Sequence, residues 1–209
     1  MKKVTKVAFV FIIAINFLAC KSEKKAEPKK EIEEVEKKST ATFSLQNATN
    51  DIHFTAYKTT DKVAVGGQFK KVEITSGGEG NTIKEAINNA EFSIPVSSIF
   101  TKDTSRDYKI MKFFFGVMDN TKLLSGKFVI ENDSIGYTNI TMNGISEKVP
   151  FSYTITNKIF SMQATMDVNK WNASAALESL NKQCYDLHKG ADGISKTWSE
   201  VALSISSTF

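Results

Sequence analysis

Residues 149–168 read VPFSYTITNKIFSMQATMDV, and the reading of this stretch decides the fold class. Val149, Phe151, Tyr153 and Ile155 alternate with Pro150, Ser152 and Thr154. Phe160, Met162, Ala164, Met166 and Val168 alternate with Ser161, Gln163 and Thr165. Successive side chains of a strand point to opposite faces, so this period of two marks strands with one buried and one wet face. Working outward, the same alternation recurs in Ile52, Phe54 and Ala56, with His53 and Thr55 opposite them. It recurs again in Phe92, Ile94 and Val96, in Phe128 and Ile130, and in Val201, Leu203 and Ile205.

The breaks between these runs carry turn chemistry. Asn143-Gly144 suits a tight hairpin. Gly66-Gly67 and Gly77-Gly78 permit bends or bulges. Pro95 and Pro150 each remove a ladder donor, which predicts edge or bulge positions. Two segments lose the period. Residues 108–118 (YKIMKFFFGVM) predict a short helix or loop with Ile110, Phe113, Phe114 and Val117 on one side. Residues 173–182 (ASAALESLNK) predict a helix with Leu177 and Leu180 as its apolar contacts. The class is therefore all-β: an antiparallel sandwich or closed barrel of about eight strands with one or two short helices. A barrel of this size either fills its interior with side chains or holds one small ligand, and the pattern leaves both open.

Charge excludes one class of partner. The chain of 209 residues has a formal charge of +4, but residues 43–209 carry 17 basic and 17 acidic side chains. The excess sits in the first 42 residues, so the domain offers no bulk attraction to nucleic acid. Phenylalanine is abundant, at 15 against 5 Tyr, which predicts an aromatic core or the lining of an apolar cavity.

Residues 1–19 have the parts of an export signal: Lys2, Lys3 and Lys6, an apolar run over residues 7–15, and a close at Phe17-Leu18-Ala19. The run is shorter than the roughly 20 residues of a spanning helix. Cys20 directly after a small residue resembles a bacterial lipobox, which implies lipid on the Cys20 sulfur and an exported, membrane-anchored protein. Ordinary cleavage leaving a free Cys20 is the alternative. Residues 20–42 follow as the lipidated cysteine and a charged tether too polar to fold alone. As a coil they reach roughly 25 Å. The expected location is the bacterial cell envelope, on the periplasmic side of a membrane or as an outer-membrane lipoprotein. Acylated Cys20 would leave Cys184, the only other cysteine, without a partner, as a buried apolar thiol or a reactive one.

Three stretches of residues 43–209 together resemble the YceI-like family of lipid- and polyisoprenoid-binding proteins, in its lipoprotein branch. They are Gly67-Gln68-Phe69; Ser97-Ser98-Ile99-Phe100-Thr101 with Arg106-Asp107 and Phe113-Phe114; and Leu187 to Gly193 with Lys196-Thr197-Trp198 and Val201. The resemblance implies a lipocalin-like antiparallel barrel whose apolar tunnel takes a long isoprenoid, with its polar head at the mouth. On that reading Phe54, Phe69, Phe92, Ile110, Phe113, Phe114, Phe128, Phe151, Met162 and Met166 are the cavity candidates, and Arg106 and Lys196 the head-group candidates. Each has a plainer reading: core packing for the aromatics, an ion pair or helix-start contact for Arg106, a packed last strand for Lys196.

No other chemistry is indicated. His53 and His188 are the only histidines, and their spacing to Asp186 and Cys184 matches no strong zinc signature. The chain lacks the nucleophile elbow, phosphate loop and zinc-protease motifs, so an enzyme is not expected. The only cofactor-like molecule implied is a bound isoprenoid lipid. The expected function is a lipid carrier or buffer; the rival is an envelope interaction module with a filled barrel. Monomer and dimer both fit the pattern.

Overall fold

The computed structural model describes residues 40–209. The export signal, Cys20 and nearly all of the tether lie outside the described residues. The strands are β1 (Phe43–Ser44), β2 (Thr49–Lys58), β3 (Val63–Phe69), β4 (Glu73–Ser76), β5 (Glu79–Gly80), β6 (Glu91–Pro95), β7 (Ile99–Phe100), β8 (Leu123–Ile130), β9 (Ile135–Met142), β10 (Ile145–Thr156), β11 (Ile159–Asp167) and β12 (Thr197–Thr208). The helices are α1 (Ile83–Ile87), α2 (Thr104–Phe113) and α3 (Ser174–Gln183). No helix among the described residues is long and apolar enough to cross a membrane.

Ten strands form one curled antiparallel sheet in the order β4-β6-β8-β9-β10-β11-β12-β2-β3-β7, and β1 pairs with β5 apart from it. The pattern of alternation predicted about eight strands. The added members are short: β4 has 4 residues and β7 has 2, too few for a period to show. Among the described residues no ladder joins β4 to β7. The wall is thus a curled sheet with two edges, and their shortness limits what another chain could pair with.

Local chemistry fixes the joints. Asn143 and Gly144 have φ of 53° and 69° and join β9 to β10 in the tight turn that the dipeptide predicts. Gly77 and Gly78 turn the chain between β4 and β5 at φ of 65° and 83°. Gly66 and Gly67 do not bend the chain, as their freedom suggested; they lie in register within β3, opposite Thr55 and Phe54. The Phe54 ring lies where a Gly67 side chain would stand, 2.3 Å from the position of a Cβ there. Pro150 marks where β10 leaves β11: their ladder begins at Phe151 and Ala164, so the missing proline donor costs no bond on that side. Trp171, fully buried after β11, donates Nε1–H to Ile140 O at 2.9 Å near this parting.

Two buried clusters occupy the concave side. One gathers Leu45, Ile87, Phe92, Phe128, Phe151, Phe160 and Met162 against α1. The other gathers Val96, Ile99, Phe114, Phe115, Val149 and Trp171 against α2 and α3. Full burial of one such side chain stabilises the fold by about 1.5–3 kcal/mol.

Candidate functional site

Side chains from both clusters enclose a cavity of about 190 Å³. Its wall is tight at the α1 end, where Leu45 and Ile87 are 2% and 1% exposed. It loosens beneath α2 and α3, where Ile110, Leu177, Leu180 and Trp198 are half-buried. In the same region β12 bulges, with four steps from Thr197 to Val201 opposing two from Lys58 to Ala56.

Of the cavity candidates, Phe54, Phe69, Phe92, Ile110, Phe114, Phe128 and Met166 line the wall. Phe113, Phe151 and Met162 do not. Met162 is fully buried in the α1-side cluster. Phe151 lies over Gly136 and packs edge-on against Phe128 and Phe160, so it supports the wall from within the core. Phe113 is half-buried, meets Tyr108 edge-on and carries the Lys112 ammonium over its ring. The cause is helical phase. α2 starts at Thr104, capped by the Asp103 carboxylate accepting from Arg106 N–H, and this turns Ile110 and Phe114 inward. Val117, expected on the same side, is exposed.

The head-group candidates are also elsewhere. Arg106 donates Nη1–H to Thr101 O at 3.3 Å and sits 3.7 Å from Asp103 Oδ2, a helix-start contact. Its neighbour Asp107 is buried and accepts the Thr101 amide and hydroxyl at 2.8 and 2.7 Å. Lys196 stacks its ammonium 3.6 Å from the Trp198 ring centre and does not line the cavity. Sequence reasoning missed Thr138 and Ile140 on the wall. Thr138, Ile140 and Met142 share one face at a period of two, and that signal was there to read.

Outside the wall, His188 and Cys184 stand near Lys58 and Lys109. The His188 ring reaches Thr197 Oγ1 at 2.7 Å and Asn181 Oδ1 at 3.3 Å through Nδ1. Burial, and then Lys58 and Lys109, pull its pKa from 6.5 to about 4. Burial raises the Cys184 thiol, with the same lysines and Arg106 opposing, so a resting thiolate is disfavoured. Among the described residues no three of His, Cys, Asp and Glu gather as a metal site.

A depressed histidine pKa has a defined sign. The unfolded chain takes the His188 proton first as pH falls, so this contribution to stability is whole above pH 6.5 and is lost as pH drops toward about 4. Urea unfolding of His188→Gln should show a shallower loss across that window than the parent protein. Equal slopes for the two proteins would remove His188 as a source of acid sensitivity.

The YceI-like domain profile matches residues 27–209. A polyisoprenoid binding domain from Saccharophagus degradans, implicated in plant cell wall breakdown, superposes with a TM-score of 0.57 at 12% identity, covering 80% of this chain and 97% of that one. BcnA of Burkholderia cenocepacia gives 0.49 at 13% identity, covering 76% and 94%, and the YCEI protein of Campylobacter jejuni gives 0.42 at 16%, covering 67% and 84%. At these identities the likeness concerns the fold alone. No curated protein matches the chain.

Proposed function

The chain belongs to the YceI-like domain family, and from that premise we propose that it binds one long apolar ligand, a polyisoprenoid or the tail of an isoprenoid quinone, inside the curled sheet. The observation that carries this reading is a cavity of about 190 Å³ whose wall, among the described residues, holds no charged side chain. The polyisoprenoid binding described for the Saccharophagus degradans domain supports the same ligand class. Its role is binding, without catalysis.

Energetics argue for exchange over storage. Each CH₂ moved from water to an apolar site gains about 0.8 kcal/mol, but a bilayer offers nearly the same shelter. Preference for the protein must come from shape and from polar contacts with the ligand. The protein therefore acts as a carrier or buffer trading ligand with a membrane. Export and acylation at Cys20 would hold it there, with residues 21–42 as tether and the cell envelope as its location. Solvent extraction of protein from its own host, followed by mass spectrometry, should yield an isoprenoid near one per chain. Protein that remains lipid-free after isoprenoids are supplied would overturn the proposal.

A further inference from the structure

The cavity wall includes five polar side chains, Asn50, Thr138, Thr197, Trp198 and Ser207. Four already have partners. Ser207 donates to Asn50 Oδ1 at 2.6 Å, and Asn50 Nδ2 donates to Leu45 O at 2.9 Å. Thr197 Oγ1 meets His188 Nδ1 and Asn181 Oδ1 at 2.7 and 2.9 Å, and Trp198 Nε1 donates to Thr59 O at 2.7 Å. Thr138 is the exception. It is 2% exposed, and its Oγ1 is buried and has no hydrogen-bond partner among the described residues. A hydroxyl left bare in an apolar interior is unfavourable, and native interiors rarely keep one without a reason.

Its place is as informative as its isolation. Thr138 stands mid-strand in β9, opposite Phe128 of one cluster and Val149 of the other. It therefore marks the waist of the cavity, between the α1 end and the α2–α3 end. A turn about the Cα–Cβ bond carries its hydroxyl to the place of its methyl and offers a donor and an acceptor to whatever fills the space.

Resting on the lipid-binding reading above, we infer that Thr138 is the specificity residue of the cavity. It hydrogen-bonds a neutral oxygen of the ligand, an alcohol or a carbonyl, so the ligand lies with its oxygenated end inside. This reverses the orientation with the head at the mouth. It also selects against phosphorylated isoprenoids, because a charge brought to this wall loses its water and finds no counter-charge.

The test uses full chains with and without Thr138→Val, each stripped of lipid. Three probes displace a bound fluorescent dye: geranylgeraniol, its oxygen-free hydrocarbon and geranylgeranyl phosphate. The substitution keeps shape and strand preference and removes only the hydroxyl. Thr138→Val should weaken the alcohol roughly threefold to tenfold relative to the hydrocarbon, and the phosphate should bind more weakly than the alcohol to both proteins. An unchanged alcohol-to-hydrocarbon ratio, or a phosphate that binds best, would overturn the assignment while leaving lipid binding intact. Failure of both proteins to bind any probe would bring down the lipid-binding reading, and this one with it.

Discussion

Ala56→Trp should leave the protein folded and empty it of ligand. Ala56 lies on the inner face of β2, between Val65 of β3 and Val201 of β12, and lines the cavity where the wall is loosest. An indole there projects into the cavity. Lipid recovered with the purified variant should fall at least roughly tenfold, which corresponds to about 1.4 kcal/mol of lost affinity. The urea midpoint should move little. In a filled barrel the same substitution would overpack the interior at about 1–3 kcal/mol. A parent protein that itself carries no lipid, together with a loss of stability of that size in the variant, would support the interaction-module rival instead.

Trp171→Ala should be the most destabilising single truncation, at about 3–5 kcal/mol in urea unfolding. The side chain is fully buried beside the point where β10 and β11 separate at Pro150. Its Nε1–H reaches Ile140 O, and its own carbonyl accepts the Asn143 amide at 2.7 Å. Loss of the indole leaves a void and takes the donor from the Ile140 carbonyl. Trp171→Phe keeps much of the packing and should cost less than half as much. A loss below about 1 kcal/mol for the alanine variant would show that the wall near this parting is held by other contacts.

These two sites show what the sequence could and could not say. Strands such as residues 159–167 were legible because one face meets water and the other does not, which writes a period of two into the chain. The α3 helix and the Asn143-Gly144 turn were legible from local propensity alone. Whether an inward residue touches void or protein is not local. Phe128 and Phe151 have the same kind of alternation, yet Phe128 lines the cavity and Phe151 packs behind it. Their difference arises from partners far along the chain. Phe113 stands off the cavity because the phase of α2 depends on the Asp103 cap, five residues before Tyr108, where the predicted segment begins. The sequence offers Arg106 as a head-group contact or as an ion pair or helix-start contact, and its partners Asp103 and Thr101 match the second, which gains its geometry only once the helix start is fixed. Thr138 was passed over for the opposite reason: a threonine in a strand is unremarked until every neighbour is found to leave it alone.

The bore of this curled sheet is set in part by hydrogen atoms. At Gly67, Gly126 and Gly136 the directly opposing residue is a phenylalanine, respectively Phe54, Phe92 and Phe151, whose ring occupies the missing side chain's place. At Gly126 and Gly136 a methyl would also strike backbone oxygen, at 2.6 and 2.4 Å, so those positions are locked. At Gly67 the three nearest atoms it would meet all belong to the Phe54 ring, which lines the cavity. A single carbon added there presses on a ring of the lining, so the width of the cavity hangs on the hydrogen atom at one position in β3.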